Sequence, residues 1–99
     1  MTEARRVALA KAEARLEKCD AKTNELRAQI NRAGGKATTS SRDSLQSTET
    51  QRLAAKMAID SLASTDDAGF EQAKENADRQ LDVLEAYVKR TDKEVDDFK

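Results

Sequence analysis

Residues 9–33 read LAKAEARLEKCDAKTNELRAQINRA, and the architecture follows from the spacing of the apolar side chains in this stretch. In steps of three and four residues, eight successive positions are apolar or nearly so, while the residues between them are mostly charged or alanine. The eight positions are Leu9, Ala12, Leu16, Cys19, Thr23, Leu26, Ile30 and Ala33. This spacing is typical of a coiled-coil seam along one long helix. We therefore predict a first helix over about residues 3–33.

The glycines at 34 and 35 are expected to end the first helix, because glycine readily adopts the left-handed backbone found at helix C-termini. Ser40 and Asp43 then have capping-box spacing, which predicts a second helix over about 41–64. Its main apolar stripe consists of Leu45, Ala55, Ile59 and Leu62. Ser64 and Asp67 repeat the capping spacing and predict a third helix over about 65–98. Its seam consists of Phe70, Ala77, Leu81, Leu84, Val88, Thr91, Val95 and Phe98.

The composition agrees with long, charged helices. The 99 residues include 17 alanines and no proline, and 37% of them are charged. Alanine is the strongest helix former, and a proline-free chain has no helix breaker of that kind. We predict a single all-α domain, an elongated three-helix antiparallel coiled-coil bundle about 45–50 Å along its longest helix.

Charge is nearly balanced overall but is unevenly distributed. The net charge is −1, which gives no general electrostatic attraction to nucleic acid or to an anionic membrane. Residues 1–33 carry eight basic and five acidic groups, whereas residues 65–99 carry six basic and eleven acidic groups. In an up-down-up bundle the first and third helices are parallel neighbours. We therefore expect their opposite charges to favour that pairing over alternatives.

The sequence does not support an enzyme. It contains no histidine, so histidine-based acid–base catalysis and the ordinary zinc sites are excluded. AGGKATTS at 33–40 resembles a phosphate-binding loop but has Ala37 where Ser or Thr is required. We predict no catalytic, cofactor-binding or metal-binding residues, no cofactor and no small-molecule substrate. A row of carboxylates on the third helix is interpreted as a solvated acidic face: Glu71, Glu75, Asp78, Asp82 and Glu85.

The only cysteine, Cys19, occupies a seam position, and cysteine is among the most frequently buried residue types. We interpret it as a core residue, with redox or metal chemistry as the alternative. A single cysteine cannot form an internal disulfide, which fits a reducing compartment. No apolar run is long enough for a secretory signal or a membrane span. These observations predict a cytoplasmic protein.

Four apolar side chains remain outside the predicted seams: Leu53, Met57, Val83 and Tyr87. We interpret them as a candidate interface, and two arrangements fit the pattern. In the first, these second stripes of helices two and three face each other within one monomer; the alternative is a homodimer with Met57 and Tyr87 as anchors. Residues 38–50 also contain eight serines or threonines. We interpret them as caps and a polar helix face, with phosphorylation as the alternative.

The segments LEKCDAK and ELRA (16–28), RLAAKMAIDSLAS (52–64) and DDAGFEQAK (66–74) resemble small bacterial coiled-coil stress-response proteins. The similarity runs from about residue 13 to 90. It implies a non-enzymatic helical protein made under stress, with no catalytic residues to carry over. That family typically has aromatic residues near the positions of Cys19, Phe70 and Leu81, which supports a core role for Cys19.

Together these patterns predict a non-enzymatic helical interaction protein that binds a protein partner, or a second copy of itself, along its helix faces. The alternative is an amphipathic protein that binds a lipid surface. Membrane-surface helices usually combine a wide apolar face with Trp or Phe and a basic polar face. The seams here are narrow and nearly free of aromatics, so membrane binding is disfavoured.

Overall fold

The computed structural model describes residues 2–98 and shows three long helices, α1 (Glu3–Ala33), α2 (Thr39–Ser64) and α3 (Phe70–Asp96). A short 3-10 turn, Gly34–Lys36, connects α1 to α2. The described residues contain no strand. The molecule measures 50 × 16 × 16 Å, and each helix packs against the other two. The predicted elongated, all-α three-helix bundle is confirmed, with α1 and α3 parallel and α2 antiparallel to both.

The first helix has the predicted bounds, because both of its ends are specified locally. The hydroxyl of Thr2 accepts a hydrogen bond from the Arg5 N–H at 3.2 Å, which satisfies one of the free amides of the first turn. Gly34 has φ +56°, and its N–H donates to the Ile30 carbonyl. The glycine pair therefore ends α1 as the sequence predicted.

The start of α2 differs from the prediction by two residues. Thr38 has an extended backbone, and its hydroxyl accepts the Ser41 N–H at 3.0 Å. Ser40 lies inside the first turn of the helix, so the predicted Ser40–Asp43 capping box is wrong. The cap belongs to Thr38 because a capping residue must have non-helical backbone angles while its oxygen faces the free amides.

The third helix begins at Phe70 rather than at about residue 65, and the predicted Ser64–Asp67 capping box is also wrong. The Ser64 hydroxyl donates to the Asp60 carbonyl at 3.0 Å and so belongs to the last turn of α2. The Asp66 carboxylate accepts the Gly69 N–H at 2.9 Å and closes a turn. These residues reverse the chain direction between two antiparallel helices, and a residue within that reversal cannot also start α3.

The core contains nearly all of the residues that the periodicity assigned to it. On α1 every seam position is buried except Leu9 and Ala33, which are half-buried. The whole predicted stripe of α2 is buried, and so is the α3 seam between Ala77 and Val95. Phe70 and Phe98 are partly buried at the two ends of α3. The core is therefore continuous along the bundle and consists mainly of alanine and aliphatic side chains.

Candidate interaction surfaces

Arg15 is the centre of the contact between α1 and α3. It lies beside the seam residue Leu16, and its guanidinium reaches the carboxylate row on α3. The Arg15 Nη2 atom is 2.8 Å from the Glu85 carboxylate and 2.6 Å from Asp82, and Nη1 is 3.6 Å from Asp78. The Arg15 Nε atom also donates to Glu85 at 3.1 Å. Hydrogen bonds to Glu85 and Asp82 raise the pKa of Arg15, whose guanidinium is in any case always positively charged in proteins.

The carboxylate row of α3 is largely exposed, as interpreted from the sequence, but three of its five members also pair with Arg15 across the two helices. Asp78, Asp82 and Glu85 follow one another at intervals of four and three residues, which places them on one side of the helix. That side faces α1, where Arg15 compensates their mutual repulsion. Their side chains remain 41–71% exposed, so the cluster lies at the edge of the interface and not in the core.

Further ion pairs cross between the helices along the whole bundle. Lys22 of α1 is 3.5 Å from Asp92 of α3, and Arg5 is 3.0 Å from Asp67 just before α3. The expectation that a basic first helix pairs with an acidic third helix is confirmed. The Arg5 guanidinium also lies 5.8 Å from the centre of the Phe70 ring, which covers this end of the core.

Two ion pairs join α1 to α2 in the antiparallel sense. Arg52 donates to Asp20 through both Nε, at 2.7 Å, and Nη2, at 3.1 Å. Arg27 lies 3.4 Å from Glu49. The bonds to Asp20 raise the pKa of Arg52. Both pairs fit only one lengthwise position of α2 against α1, because a shift of one helical turn, about 5.4 Å, would separate them.

Cys19 lies in the core, 6% exposed, as predicted from its seam position. Burial raises the pKa of its thiol, and the nearby carboxylates of Glu85 and Asp20 raise it further. A thiol with a raised pKa is mostly protonated at neutral pH, and the protonated form is a poor nucleophile. The surroundings of Cys19 thus favour a packing role over redox chemistry.

The four predicted interface residues are not all alike. Leu53 and Met57 are 60% and 70% exposed, and Val83 is 37% exposed. Tyr87 is half-buried. The alternative in which these stripes cover one another inside the monomer is therefore wrong for Leu53 and Met57. Buried positions such as Ala55 and Ile59 occupy the opposite side of α2, so Leu53 and Met57 face outward.

The structure also separates these residues into two surfaces. Leu53 lines a groove of about 450 Å³ between α1 and α2, beside the Asp20–Arg52 and Arg27–Glu49 pairs. Tyr87 lines a second groove of about 450 Å³ between α2 and α3, with polar residues such as Asp43, Gln46 and Gln51. We call the first the Leu53 surface, which includes Met57, and the second the Tyr87 surface. A single partner contact that uses both must span the outer face of α2.

Sequence reasoning missed Arg15, although its signal was present. The residue stands next to a seam position on the helix with excess positive charge, and three carboxylates lie at helical spacing on the helix predicted to be its neighbour. The relative rotation of the two helices was needed to bring the four groups together.

Within residues 2–98, no group of three or more acidic or thiol side chains is arranged to hold a metal ion. No helix in the described part of the chain is long and apolar enough to cross a membrane.

No family model, no curated protein and no solved structure matches this chain.

Proposed function

We propose that this protein is a non-enzymatic interaction protein whose partner binds along the outward face of α2. The observation that carries the proposal is the exposure of Leu53 and Met57, one helical turn apart, on a helix whose other three large apolar residues are buried. Apolar side chains at i and i+4 are the usual anchors for a partner helix or groove. The ion pairs beside Leu53 would form the polar rim of such a contact.

The partner class is a protein, and a second copy of this chain is the first candidate. The Leu53 surface alone is small compared with the roughly 1,200–2,000 Å² that stable complexes bury. A contact that extends over the Tyr87 surface would add an aromatic side chain with a polar tip, which is favoured at interfaces, and Val83 lies one helical turn before it on α3. We therefore include Tyr87 as the second anchor.

The test compares partner binding by the wild-type chain and by Leu53→Asp/Met57→Asp. Sedimentation equilibrium across the micromolar range measures self-association, and a pull-down from stressed cells measures binding to other proteins. The double variant should lose the association, because two apolar side chains that become buried when the partner binds are replaced by charged ones. Val7→Asp is the matched control, since Val7 is an exposed aliphatic residue (42%) on another helix. Equal binding by all three proteins would refute the proposal.

A role in stress response and a cytoplasmic location are proposed on sequence grounds. The first rests on the resemblance of residues 13–90 to small coiled-coil stress proteins, and the second on the lone cysteine, which has no partner within the chain. Measuring transcript and protein levels before and after osmotic, oxidative and heat stress tests the first. Cell fractionation with an antibody to the protein tests the second.

Binding to a lipid surface, the alternative function, would require the three helices to separate, whereas a protein partner can bind the intact bundle. The strongly apolar side of α3 is buried within the bundle, where Leu81, Leu84 and Val95 are no more than 1% exposed. A lipid surface could bind these side chains only after the helices separate. Co-sedimentation with anionic and neutral vesicles distinguishes the two functions, and the interaction protein should remain in the supernatant with both.

A further inference from the structure

The two halves of the bundle have different cores. Among the described residues 2–98, every buried polar side chain is a hydroxyl, and all five lie in the half nearer the Gly34–Lys36 turn. The five are Thr23, Ser41, Ser44, Thr48 and Thr91. The Lys22–Asp92 ion pair and the Thr48–Thr91 contact place Thr23, Thr48 and Thr91 at about the same level. The half nearer Phe70 has a core of alanine, leucine, isoleucine and the cysteine.

The buried hydroxyls are satisfied mainly within their own helices. Thr23, Thr48 and Thr91 each lie within 2.7–2.9 Å of the carbonyl four residues earlier, and Ser41 lies 2.7 Å from the Thr38 carbonyl. Separation of the helices leaves these bonds intact. The hydroxyls therefore do little to hold the helices together, whereas an aliphatic side chain at the same position would lose its packing.

Among residues 2–98, one hydroxyl contact crosses between helices, and it competes with the intrahelical bonds. The Thr48 and Thr91 oxygens are 3.1 Å apart. Each threonine has a single hydroxyl hydrogen, so two hydrogens serve three possible bonds, and one of these bonds is always unmade. The cross-helix contact thus adds little to the attachment of α2.

The first half of α2 also contributes almost no apolar packing. Leu45 is its only large aliphatic residue and is 9% exposed. The facing side chains of α1 and α3 are larger than the serines and threonines of α2. Among them, Leu26, Ile30 and Val95 are no more than 1% exposed. At this end α1 and α3 can remain packed against each other through those residues. Of the three helices at this end of the bundle, α2 is therefore the one that separates most easily from the other two.

We propose that residues 39–50 of α2 form an opening element, which leaves the bundle and unfolds while residues 51–64 remain packed. Gly34 and Gly35 permit this movement at one end, because glycine tolerates a wide range of backbone angles. The Arg52–Asp20 pair and the Gln51 contacts with Gln80, at 2.7 and 3.0 Å, mark the other end. A detached 12-residue segment rich in serine and threonine does not hold a helix in water. Opening uncovers Leu26, Ile30 and Val95.

Native-state amide hydrogen exchange at low urea tests this directly. Amides 43–50 should exchange at least about tenfold faster than amides 56–62 of the same helix, with a weaker dependence on urea. The second group serves as an internal control because it belongs to the same helix. Equal opening free energies and equal urea dependences for the two groups would overturn the proposal.

Two variants test the same proposal through changes in the exchange rates, and not through the rates of the wild-type protein alone. Thr48→Val/Thr91→Val replaces the hydroxyl pair by apolar isosteres and should slow exchange of amides 43–50 about tenfold relative to amides 56–62. Thr50→Val changes the same residue type at an exposed position of the same element and should leave that ratio unchanged. An unchanged ratio in the double variant would contradict the role of the hydroxyl layer.

A reversible cross-link covers the case in which the double valine variant does not fold. Thr48→Cys/Thr91→Cys in a Cys19→Ala background joins positions whose side-chain oxygens are 3.1 Å apart. The oxidised protein should show slow exchange over 43–50, and reduction should restore the fast exchange. Identical rates in the oxidised and reduced forms would show that opening does not separate α2 from α3.

Discussion

Arg15 and Glu85, 70 residues apart in the chain, form a two-point ion pair across the parallel helices α1 and α3. The Arg15 Nε atom donates to one carboxylate oxygen of Glu85 at 3.1 Å, and Nη2 donates to the other at 2.8 Å. The planar guanidinium matches the carboxylate geometry, which makes such pairs stronger and more directional than a lysine contact. Asp78 and Asp82 complete the cluster.

Replacing Arg15 should destabilise the bundle more than its surface position suggests. Arg15→Ala leaves three neighbouring carboxylates without their cation, and we expect a loss of about 1–2 kcal/mol in the free energy of unfolding. Arg15→Lys keeps the charge but loses the two-point geometry and should cost about half as much. Urea unfolding followed by circular dichroism measures both.

Arg6→Ala is the control for Arg15. In the described part of the chain Arg6 has one ion pair, with Glu3 at 3.8 Å, and its side chain is 68% exposed, so the change should stay within about 0.5 kcal/mol. An Arg15→Ala protein as stable as Arg6→Ala would show that the cluster contributes nothing to the fold.

Cys19 should behave as a buried packing residue. A thiol reagent should label it much more slowly in the native protein than in denaturant, because the side chain is 6% exposed and its pKa is raised. Cys19→Ala should reduce stability by about 1–2 kcal/mol at neutral pH. Native labelling as fast as labelling in denaturant would contradict burial.

The same thiol predicts a dependence of stability on alkaline pH. Its pKa is higher in the folded than in the unfolded chain, so the unfolded chain loses the proton first as pH rises. The free energy of unfolding should therefore fall above the ordinary thiol pKa of about 8.5, and the thiol's contribution is fully present below that pH. The difference between wild type and Cys19→Ala, measured from pH 7 to 10, isolates this effect from other titrating groups.

Leu53 and Met57 should matter little for stability, in contrast to their proposed role in binding. Both are largely exposed, so Leu53→Ser and Met57→Gln should each change the free energy of unfolding by no more than about 0.5 kcal/mol. Ile59→Ala, on the buried side of the same helix and 2% exposed, should cost about 2–5 kcal/mol. A large loss from either exposed substitution would mean that these side chains are packed in solution.

The start of α2 can be tested with two neighbouring hydroxyl residues. Thr38→Ala removes the oxygen that accepts the Ser41 N–H and should cost about 1 kcal/mol. Ser40→Ala lies within the helix, where alanine has the better propensity, and should be neutral or slightly stabilising. Thermal unfolding of the two variants side by side distinguishes the caps, and the reverse order would place the helix start at the sequence-predicted position.

The three helices, their buried sides and the end of α1 could be predicted from the chain alone. Periodicity of 3.6 residues assigns Leu16, Leu81 and Ile59 to buried faces whatever the partner helix is, and a glycine at position 34 is a local signal for a helix end. Charge asymmetry likewise predicted the pairing of α1 with α3. These features depend on residues close in sequence or on sums over a whole helix.

Three features could not be predicted from the sequence in this way. They are the starts of α2 and α3, the cluster around Arg15, and the separation of Leu53 from Tyr87. Capping spacing occurs at Ser40 and Ser64, but the geometry of the chain reversals places the caps elsewhere. Arg15 meets Asp78, Asp82 and Glu85 only at one relative rotation of α1 and α3, and the rotation of α2 against both places Leu53 and Tyr87 in different grooves. These rotations result from packing three helices around a common core, and no single helix specifies them.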